Sequence, residues 1–242
     1  MRDHGVLGRQ ARDAFDAARA AGFSNVSVDL IYGLPGLTAE TWRATVEGVL
    51  AWEPEHVSAY GLTLDAGSVW GSSGPAGLPA EDVVIGHYWT MAGRAAARGY
   101  EHYEISNYAR PGARSRHNQL YWRRREYLAF GPGAAGFVGP VRYTNVKPVS
   151  RYIQLLDEPR LPVDAFERLD ERQALAESLI LGLRTADGVA ATRLETRAAG
   201  DTRLRDRLRA WREHGLLIDV GGQTRLTESG FLVSDALFVE LL

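Results

Sequence analysis

The 242-residue sequence contains no cysteine. This absence excludes disulfides, thiolate nucleophiles and any cysteine-ligated zinc or iron–sulfur site built from this chain alone. No apolar run approaches the ~20 residues that a membrane span requires, and the first residues include no apolar signal-peptide core. The formal net charge of −2 gives no global attraction to nucleic acid or to an anionic membrane. We therefore expect a cytoplasmic chain with no transmembrane segment and no nucleic-acid partner.

A strand–helix–strand pattern stands near the start of the sequence. Residues 26–32 alternate apolar and polar side chains, as a strand does, and a helix is predicted over about 39–52 after a cap at Thr38. A second strand is predicted over 56–65. This order is typical of a βαβ unit with parallel strands and a right-handed crossover. The sequence thus predicts an α/β fold.

The last third of the sequence follows a different pattern. A segment rich in Gly, Pro and Ser at 66–80 indicates a boundary, and residues 100–150 show little helical periodicity. Residues 166–242 predict three helices, the first of them over 167–185, then a hairpin turning at Gly221-Gly222 and a closing helix, which indicates a small winged-helix-like α+β module. Winged helices often bind DNA, but this segment has 13 acidic residues against 11 arginines, and a groove binder needs a basic face.

Asp29 stands in a strand that is otherwise rich in Val, Leu and Ile. It either fixes the end of the strand, or it accepts hydrogen bonds from the hydroxyl groups of a ligand, as acidic residues do for ribose. In parallel sheets, functional residues gather at the carboxyl ends of the strands. Asp29, Ile31 and Thr63 lie near these ends, and they are the candidate residues of this region.

A second candidate site lies in the loop-like residues 103–122, which read YEISNYARPGARSRHNQLYW. A neutral imidazole such as that of His117 is a good iron ligand, aromatic rings stack on a flat macrocycle, and guanidinium groups pair with carboxylates. The mixture suits a porphyrin with its propionates, an RNA base with its phosphate, or a solvated basic loop, and composition alone favours the last. Six arginines stand near His117 in the sequence: Arg110, Arg114, Arg116, Arg123, Arg124 and Arg125.

Several motifs, in order along the chain, resemble one family of proteins. NVSVDLIYGLPGLTAETW resembles a strand–loop–helix segment of the radical S-adenosylmethionine (SAM) proteins related to oxygen-independent coproporphyrinogen III oxidase. YEISNYARPG followed by HNQLYW is similar to the hallmark of one branch, the heme chaperones of the HemW type. EYLAFGPGAAG, RYTNVKPVSRY, LILGLRTADGV and LTESGFLVSDALFVELL are similar to later segments. The resemblance extends from about residue 9 to the end of the chain.

The resemblance implies a fold and a domain organisation. Residues 1–65 would form the C-terminal βα units of a partial (β/α)₆ radical-SAM barrel. Residues 66–165 would form a family-specific extension that contains the HNxxYW segment. Residues 166–242 would form the winged-helix-like domain that this branch shares with the oxidase.

The resemblance also implies cofactors and site residues. The family binds SAM and a [4Fe–4S] cluster, and by position in the motif Asp29, Ile31 and Thr63 match SAM-contacting residues. His117 matches the histidine associated with heme in the chaperone branch, which makes it the candidate iron ligand. The other heme-contacting positions of the motif are Asn118, Tyr121 and Trp122.

The sequence departs from the family at several points. The family carries its cluster on a CxxxCxxC loop, and this chain has neither cysteine nor an early glycine-rich SAM-binding segment. We therefore expect a C-terminal portion of a longer protein that cannot, alone, ligate the cluster or generate the 5′-deoxyadenosyl radical. Incomplete pairing of a partial barrel further predicts an exposed apolar patch near residues 26–32 and 57–63. In GPGAAG, which is either an anion cradle or a tight turn, Ala135 and Gly136 replace a His-Ser pair.

Three functions follow as hypotheses. The first is a C-terminal portion of a HemW-like heme chaperone, which binds heme and delivers it to a client protein. The second is a portion of an oxygen-independent coproporphyrinogen III oxidase, with a porphyrin precursor as the ligand. The third is a non-catalytic interaction module. The HNxxYW segment favours the chaperone, and whether the chain is itself an enzyme stays open.

Overall fold

The chain folds into two compact units, Met1–Ser115 and Arg116–Leu242. The structure is a computed structural model, and it describes residues 4–241, with side chains from residue 8 onward. The fold is mixed α/β. Residues 66–165, which the sequence groups into one extension, contribute secondary structure to both units.

The first unit contains a four-stranded sheet. Its strands are β1 (Ser27–Tyr32), β2 (His56–Gly61), β3 (Glu101–Glu104) and β4 (Asn107–Ala109), in the order β1-β2-β4-β3. Strands β1 and β2 are parallel, with Ser27 opposite His56 and Tyr32 opposite Gly61, so the predicted βαβ unit is confirmed. The other two pairings are antiparallel, and the β3–β4 hairpin has no counterpart in the sequence prediction.

The helices of the first unit are α1 (His4–Ala20), α2 (Ala39–Leu50), α3 (Val69–Ser73) and α4 (Glu81–Ala97). Of these, α2 and α4 pack over one face of the sheet. The predicted cap of α2 is confirmed, because the Thr38 side chain accepts a hydrogen bond from the Thr41 amide. The core lies between α2, α4 and the sheet, where Trp42, Val46 and Met91 are fully buried.

Alternation along β1 separates its side chains into two sets. Val28, Leu30 and Tyr32 pack against the buried core cluster. Since successive side chains of a strand point to opposite faces, Ser27, Asp29 and Ile31 lie on the other face of the sheet.

The apolar patch expected near the first two strands is only partly exposed. Ile31 on β1 and Tyr60 on β2 are 49% and 42% exposed, whereas Val57 and Ala59 are buried. Among the described strands, β1 pairs with β2 alone, so its other edge carries no strand partner there.

The second unit begins with the HNQLYW segment. Residues predicted as a loop form the helix α5 (Arg116–Trp122). A three-stranded antiparallel sheet follows, in the order β5-β6-β7, with α6 between its second and third strands. These elements are β5 (Ala135–Val138), β6 (Val141–Asn145), α6 (Val149–Asp157) and β7 (Val163–Arg168).

The rest of the second unit contains helices around a small sheet of order β8-β10-β9. The predicted hairpin is confirmed, and Gly221 and Gly222 have the positive φ angles, 59° and 80°, that its tight turn requires. The predicted closing helix is two short helices separated at Val233. The elements are α7 (Glu171–Leu183), β8 (Val189–Ala190), α8 (Ala191–Ala198), α9 (Thr202–Glu213), β9 (Leu217–Val220), β10 (Gln223–Leu226), α10 (Glu228–Leu232) and α11 (Ser234–Val239).

Candidate functional site

A row of polar side chains crosses the face of the first sheet opposite the core of α2 and α4. Asp29 on β1 lies opposite Ser58 on β2, Ser58 lies opposite Asn107 on β4, and Asn107 lies opposite Glu104 on β3. Asp29 is exposed, and the other three are buried. The Asn107 side-chain amide donates to the Glu104 carboxylate. Asp29 is the one exposed member of the row, so its carboxylate is the acceptor that the row presents to a ligand with hydroxyl or amine groups.

A chain of hydrogen bonds runs beside this row. His56 is bonded through Nδ1 to the Ser27 hydroxyl at 2.8 Å and through Nε2 to the Tyr103 hydroxyl at 2.8 Å. The Ser115 amide donates to the same Tyr103 oxygen at 3.2 Å. Burial raises the pKa of Tyr103 to about 12, so its hydroxyl keeps a proton at neutral pH.

The protonation of this chain follows from its bonds. The Tyr103 oxygen accepts from the Ser115 amide, and its hydroxyl can donate to His56 Nε2; in that tautomer the imidazole proton is on Nδ1, facing Ser27. Burial lowers the pKa of His56, and the Asp29 carboxylate opposes that shift. His56 is therefore a neutral, fixed residue beside Asp29.

Ile31 and Thr63 lie at the carboxyl end of the same pair of strands. Ile31 is opposite Tyr60, and both side chains are exposed. The prediction of a strand through residue 65 was wrong, because the parallel pairing ends with the bond from the Leu62 amide to the Tyr32 carbonyl. After Tyr32 the chain leaves strand β1 and turns at Gly33, whose φ is 76°. No described strand therefore lies opposite Thr63, which is an exposed loop residue.

His117 and Tyr121 form a pair on α5. They are four residues apart, so they share one face of the helix. The Tyr121 hydroxyl is bonded to His117 Nε2 at 3.0 Å, and the two rings meet edge to face with centroids 4.9 Å apart. His117 is exposed, and Tyr121 is half-buried. An exposed imidazole in a defined orientation is a feature that a solvated loop would lack.

Asn118 and Trp122, also four residues apart, lie on an adjoining side of α5 and are half-buried. The guanidinium of Arg184, which follows α7, lies over the Trp122 ring at 4.9 Å. Trp122 Nε1 and Arg184 Nε are both buried, and neither has a hydrogen-bond partner among residues 8–241. Sequence reasoning missed Arg184 as a site residue: its segment LILGLRTADGV was matched to the family, but no local pattern places this arginine against α5.

The arginines near His117 in the sequence have different roles. Arg110, Arg114 and Arg124 form ion pairs with Glu53, Glu101 and Glu177, respectively. Arg123 donates to Gln119 within 2.7 Å, on α5 itself. Arg116 and Arg125 are exposed, and within the described part of the chain neither has a carboxylate within 4 Å. These two are the guanidinium groups that remain available to an incoming carboxylate.

The glycine-rich segment 131–136 is a turn. The Gly131 amide donates to the Tyr152 hydroxyl, and the Gly133 amide donates to the Val146 carbonyl, so neither is available to an anion. Gly136 lies directly under the Tyr143 ring, where a Cβ would come within 2.3 Å of a ring carbon. A serine there would require the ring to move, so this chain could not restore the family's His-Ser pair without repacking.

No group of three or more His, Cys, Asp or Glu residues able to hold a metal ion occurs among the described residues. With no cysteine in the sequence, the residues present do not fit an iron–sulfur cluster. In the same part of the chain, no helix has both the length and the apolar character of a membrane span.

Comparison with known proteins gives clear relatives, although no protein-family model matches the chain. The chain is 32% identical to the heme chaperone HemW of Bacillus subtilis, over 93% of this chain and 61% of that protein. It is 35% identical to HemW of Mycobacterium tuberculosis, over 97% and 59%. A mitochondrial radical S-adenosyl methionine domain-containing protein 1, from Bos taurus, is 35% identical over 76% and 45%.

A solved structure also resembles the chain. The coproporphyrinogen III oxidase HemN of Escherichia coli, described as a radical SAM enzyme, matches with a TM-score of 0.79. The match covers all of this chain and 59% of that one at 18% identity, so it shows a HemN-like fold. The chain spans about three fifths of the length of its HemW relatives. The resemblance inferred from the motifs is thereby confirmed, and over nearly its whole length this chain is homologous to the heme chaperones of the HemW type.

Proposed function

We propose that this chain binds heme through His117 and passes it to a client protein. The observation that carries the proposal is the exposed imidazole of His117 on α5, oriented by Tyr121. The imidazole is accessible on the surface of a helix, so its Nε2 can bind iron once the Tyr121 hydroxyl leaves it. The HemW relatives are named as heme chaperones, which agrees with this chemistry.

The residues around His117 fit heme as a cargo. Tyr121 and Trp122 follow His117 on the same helix, and aromatic rings pack well on a flat macrocycle, although Arg184 covers one face of the Trp122 ring. Arg116 and Arg125 are exposed and have no carboxylate partner among residues 8–241, so they can pair with the heme propionates. Of the other nearby arginines, Arg110, Arg114 and Arg124 are paired with glutamates, and Arg123 is bonded to Gln119.

We further propose that Asp29, Ile31 and Thr63 supply part of a SAM site. Asp29 offers an exposed carboxylate for hydroxyl or amine donors, and Ile31 offers exposed apolar surface beside Tyr60. Bound SAM would place a sulfonium cofactor at this edge of the sheet. The ligands of a [4Fe–4S] cluster would have to come from outside this chain, because it has no cysteine.

The same proposal covers the finer architecture. The parallel β1–β2 pair with its crossover helix supports assignment to the end of a partial (β/α)₆ barrel. The order of α7, α8, α9 and the β9–β10 hairpin supports a winged-helix-like domain after residue 165. We also propose a cytoplasmic location.

Nucleic acid is not among the partners we propose. Although α9 is rich in arginine, most of these side chains are close to carboxylates, which reduces the charge available to phosphates. The pairs are Arg203–Glu240, Arg207–Glu240, Arg209–Asp206 and Arg212–Asp219.

A porphyrin precursor is the second candidate ligand, favoured by the fold match to a coproporphyrinogen III oxidase. The two ligands differ in one decisive respect. Coproporphyrinogen contains no iron, so an axial imidazole contributes nothing to its binding, whereas ferric heme gains a ligand bond. The dependence of binding on His117 therefore separates the two functions.

Titration with hemin, followed by Soret absorbance, tests the proposal. We compare the chain with His117→Ala and with His214→Ala, which removes another exposed histidine at the end of a helix in the same unit. Saturable binding should weaken at least tenfold in His117→Ala and stay unchanged in His214→Ala. A metal-free porphyrin titrated in parallel should not distinguish the three proteins.

Two results would contradict heme carriage through His117. Equal hemin binding by all three proteins would show that hemin adheres to apolar surface rather than to the imidazole. Absence of any Soret change in the unmodified chain would favour an interaction module without a heme function.

A further inference from the structure

The Tyr121 hydroxyl is hydrogen-bonded to Nε2, the nitrogen of His117 that iron would use. The hydroxyl lies 3.0 Å from Nε2, and the rings meet at an interplanar angle of 87°. We propose that Tyr121 acts as a cap on this nitrogen, which heme displaces on binding and which returns when heme leaves. This inference rests on the proposed function, and it assigns Tyr121 the role of setting the affinity for the cargo.

The cap works in either tautomer of the neutral imidazole. If the Tyr121 hydroxyl donates, the lone pair of Nε2 is engaged; if Nε2 carries the proton, it has no lone pair for iron. The remaining nitrogen, Nδ1, is adjacent to Cγ and hence close to the helix backbone, where a macrocycle has little room. Ligation through Nε2 therefore costs the bond to Tyr121.

Packing behind Tyr121 keeps the cap in place. Its ring meets the Tyr127 ring edge to face, with centroids 4.6 Å apart. Tyr127 is in turn fixed by a β-bridge to Phe137, in which each residue's amide donates to the other's carbonyl at 2.9 Å. The contact with Tyr127 thus holds the Tyr121 ring in place, and the Tyr121 hydroxyl stays near His117 Nε2 when no heme is bound.

A cap of this kind suits a carrier. A protein that delivers its cargo needs an affinity low enough for release, and a competing internal hydrogen bond lowers affinity without removing the ligand. A net hydrogen bond of this type corresponds to about a threefold to tenfold change in an equilibrium constant. Removing the hydroxyl should therefore tighten heme binding by about that factor.

The test compares Tyr121→Phe with the unmodified chain in the hemin titration. Tyr152→Phe is the matched control, because it removes a half-buried hydroxyl of the same unit that accepts only a backbone bond, from Gly131. We expect Tyr121→Phe to bind hemin about threefold to tenfold tighter and to release it more slowly to apomyoglobin. Tyr152→Phe should match the unmodified chain. In a His117→Ala background, the Tyr121 substitution should have no effect on affinity.

A measurement without heme checks the hydrogen bond itself. The ¹⁵N chemical shift of His117 Nε2 should change in Tyr121→Phe and not in Tyr152→Phe. Unchanged or weaker hemin binding in Tyr121→Phe, with binding still lost in His117→Ala, would overturn the cap and leave the proposed function standing. Unchanged binding in His117→Ala would overturn both.

Discussion

Replacing Tyr103 by phenylalanine tests the buried hydrogen-bond chain of the first sheet. The Tyr103 side chain is only 1% exposed, and phenylalanine retains its ring, so the substitution removes one hydroxyl and leaves almost no cavity. That hydroxyl bonds to His56 Nε2 at 2.8 Å and accepts from the Ser115 amide at 3.2 Å. Both bonds are lost together.

The expected magnitude follows from the burial of the two partners. His56 is 5% exposed, and a buried polar atom left without a partner costs about 1–3 kcal/mol. Ser115 is half-buried, so its amide can turn to water, and its lost bond adds less than about 1 kcal/mol. We therefore expect Tyr103→Phe to lower the free energy of unfolding of the first unit by about 1–4 kcal/mol.

Urea denaturation, followed by circular dichroism, measures this loss, and amide hydrogen exchange assigns it to β2 and β4. Tyr152→Phe in the second unit removes a hydroxyl with one backbone partner, and it should cost less than about 1 kcal/mol. A loss below about 0.5 kcal/mol in Tyr103→Phe, or one equal to the control, would show that the chain of bonds does not stabilise the sheet.

Further predictions concern histidines and glycines. Burial lowers the pKa of both His56 and His87 in the folded chain, so the unfolded chain binds more protons below its histidine pKa of about 6.5. The free energy of unfolding should thus be constant above that pH and fall as the pH drops toward the lower histidine pKa values of the folded chain. A free energy of unfolding, measured by urea denaturation, that rises on acidification from pH 7 would contradict this. His87→Leu should leave thermal stability unchanged or raised, because both ring nitrogens are buried and, in the described part of the chain, neither has a hydrogen bond of normal geometry, the Thr38 backbone supplying only a weak interaction; a loss above about 1 kcal/mol would contradict it. Gly188→Ala should destabilise the second unit by more than about 2 kcal/mol, since its φ is +69° and its Cβ would lie 2.3 Å from the Thr224 carbonyl oxygen. Gly139→Ala, at φ of +60° in open space, should cost only about 1 kcal/mol, and equal melting temperatures of the two variants would refute the steric argument.

The sequence predicts the βαβ unit well because each of its parts has a local signal. Alternation marks β1, Thr38 marks the start of α2, and a parallel pair needs a crossover of that length. The β3–β4 hairpin has weaker signals. Its strands are four and three residues long, and an irregularity between His102 and Glu104 breaks the alternation.

The start of α7 was predicted wrongly, and a signal for its true position was available. Residues 163–168, part of which had been assigned to the helix, form β7, and α7 begins after Asp170. Asp170 and Gln173 form a capping box, in which each side chain bonds the other residue's amide. The pair stands three residues apart just before an apolar run, so the boundary was readable from the sequence.

The two candidate sites differ in how much of each could be predicted from the sequence. The spacing of His117 and Tyr121 puts them on one helix face, but only once α5 is recognised, and a seven-residue helix of sequence RHNQLYW is too short to show a clear periodicity. The polar row across β1, β2, β4 and β3 depends on strand order and register, which no local pattern specifies.

Both candidate sites are places where the chain departs from what stability alone favours. A central sheet position usually holds β-branched or aromatic side chains, yet Ser58, Asn107 and Glu104 are buried in one row, and Asn107 Oδ1 has no partner among residues 8–241. Apolar residues in that row would avoid this cost. On α5, the His117 imidazole and the Tyr121 phenol are held together at the surface, where neither the hydrogen bond between them nor the contact of their rings contributes much to the free energy of folding. Such departures concentrate where a protein binds or reacts. Because the row offers acceptors and α5 offers an imidazole, the two sites suit ligands of different chemistry: a donor-rich cofactor at Asp29, and an iron-bearing macrocycle at His117.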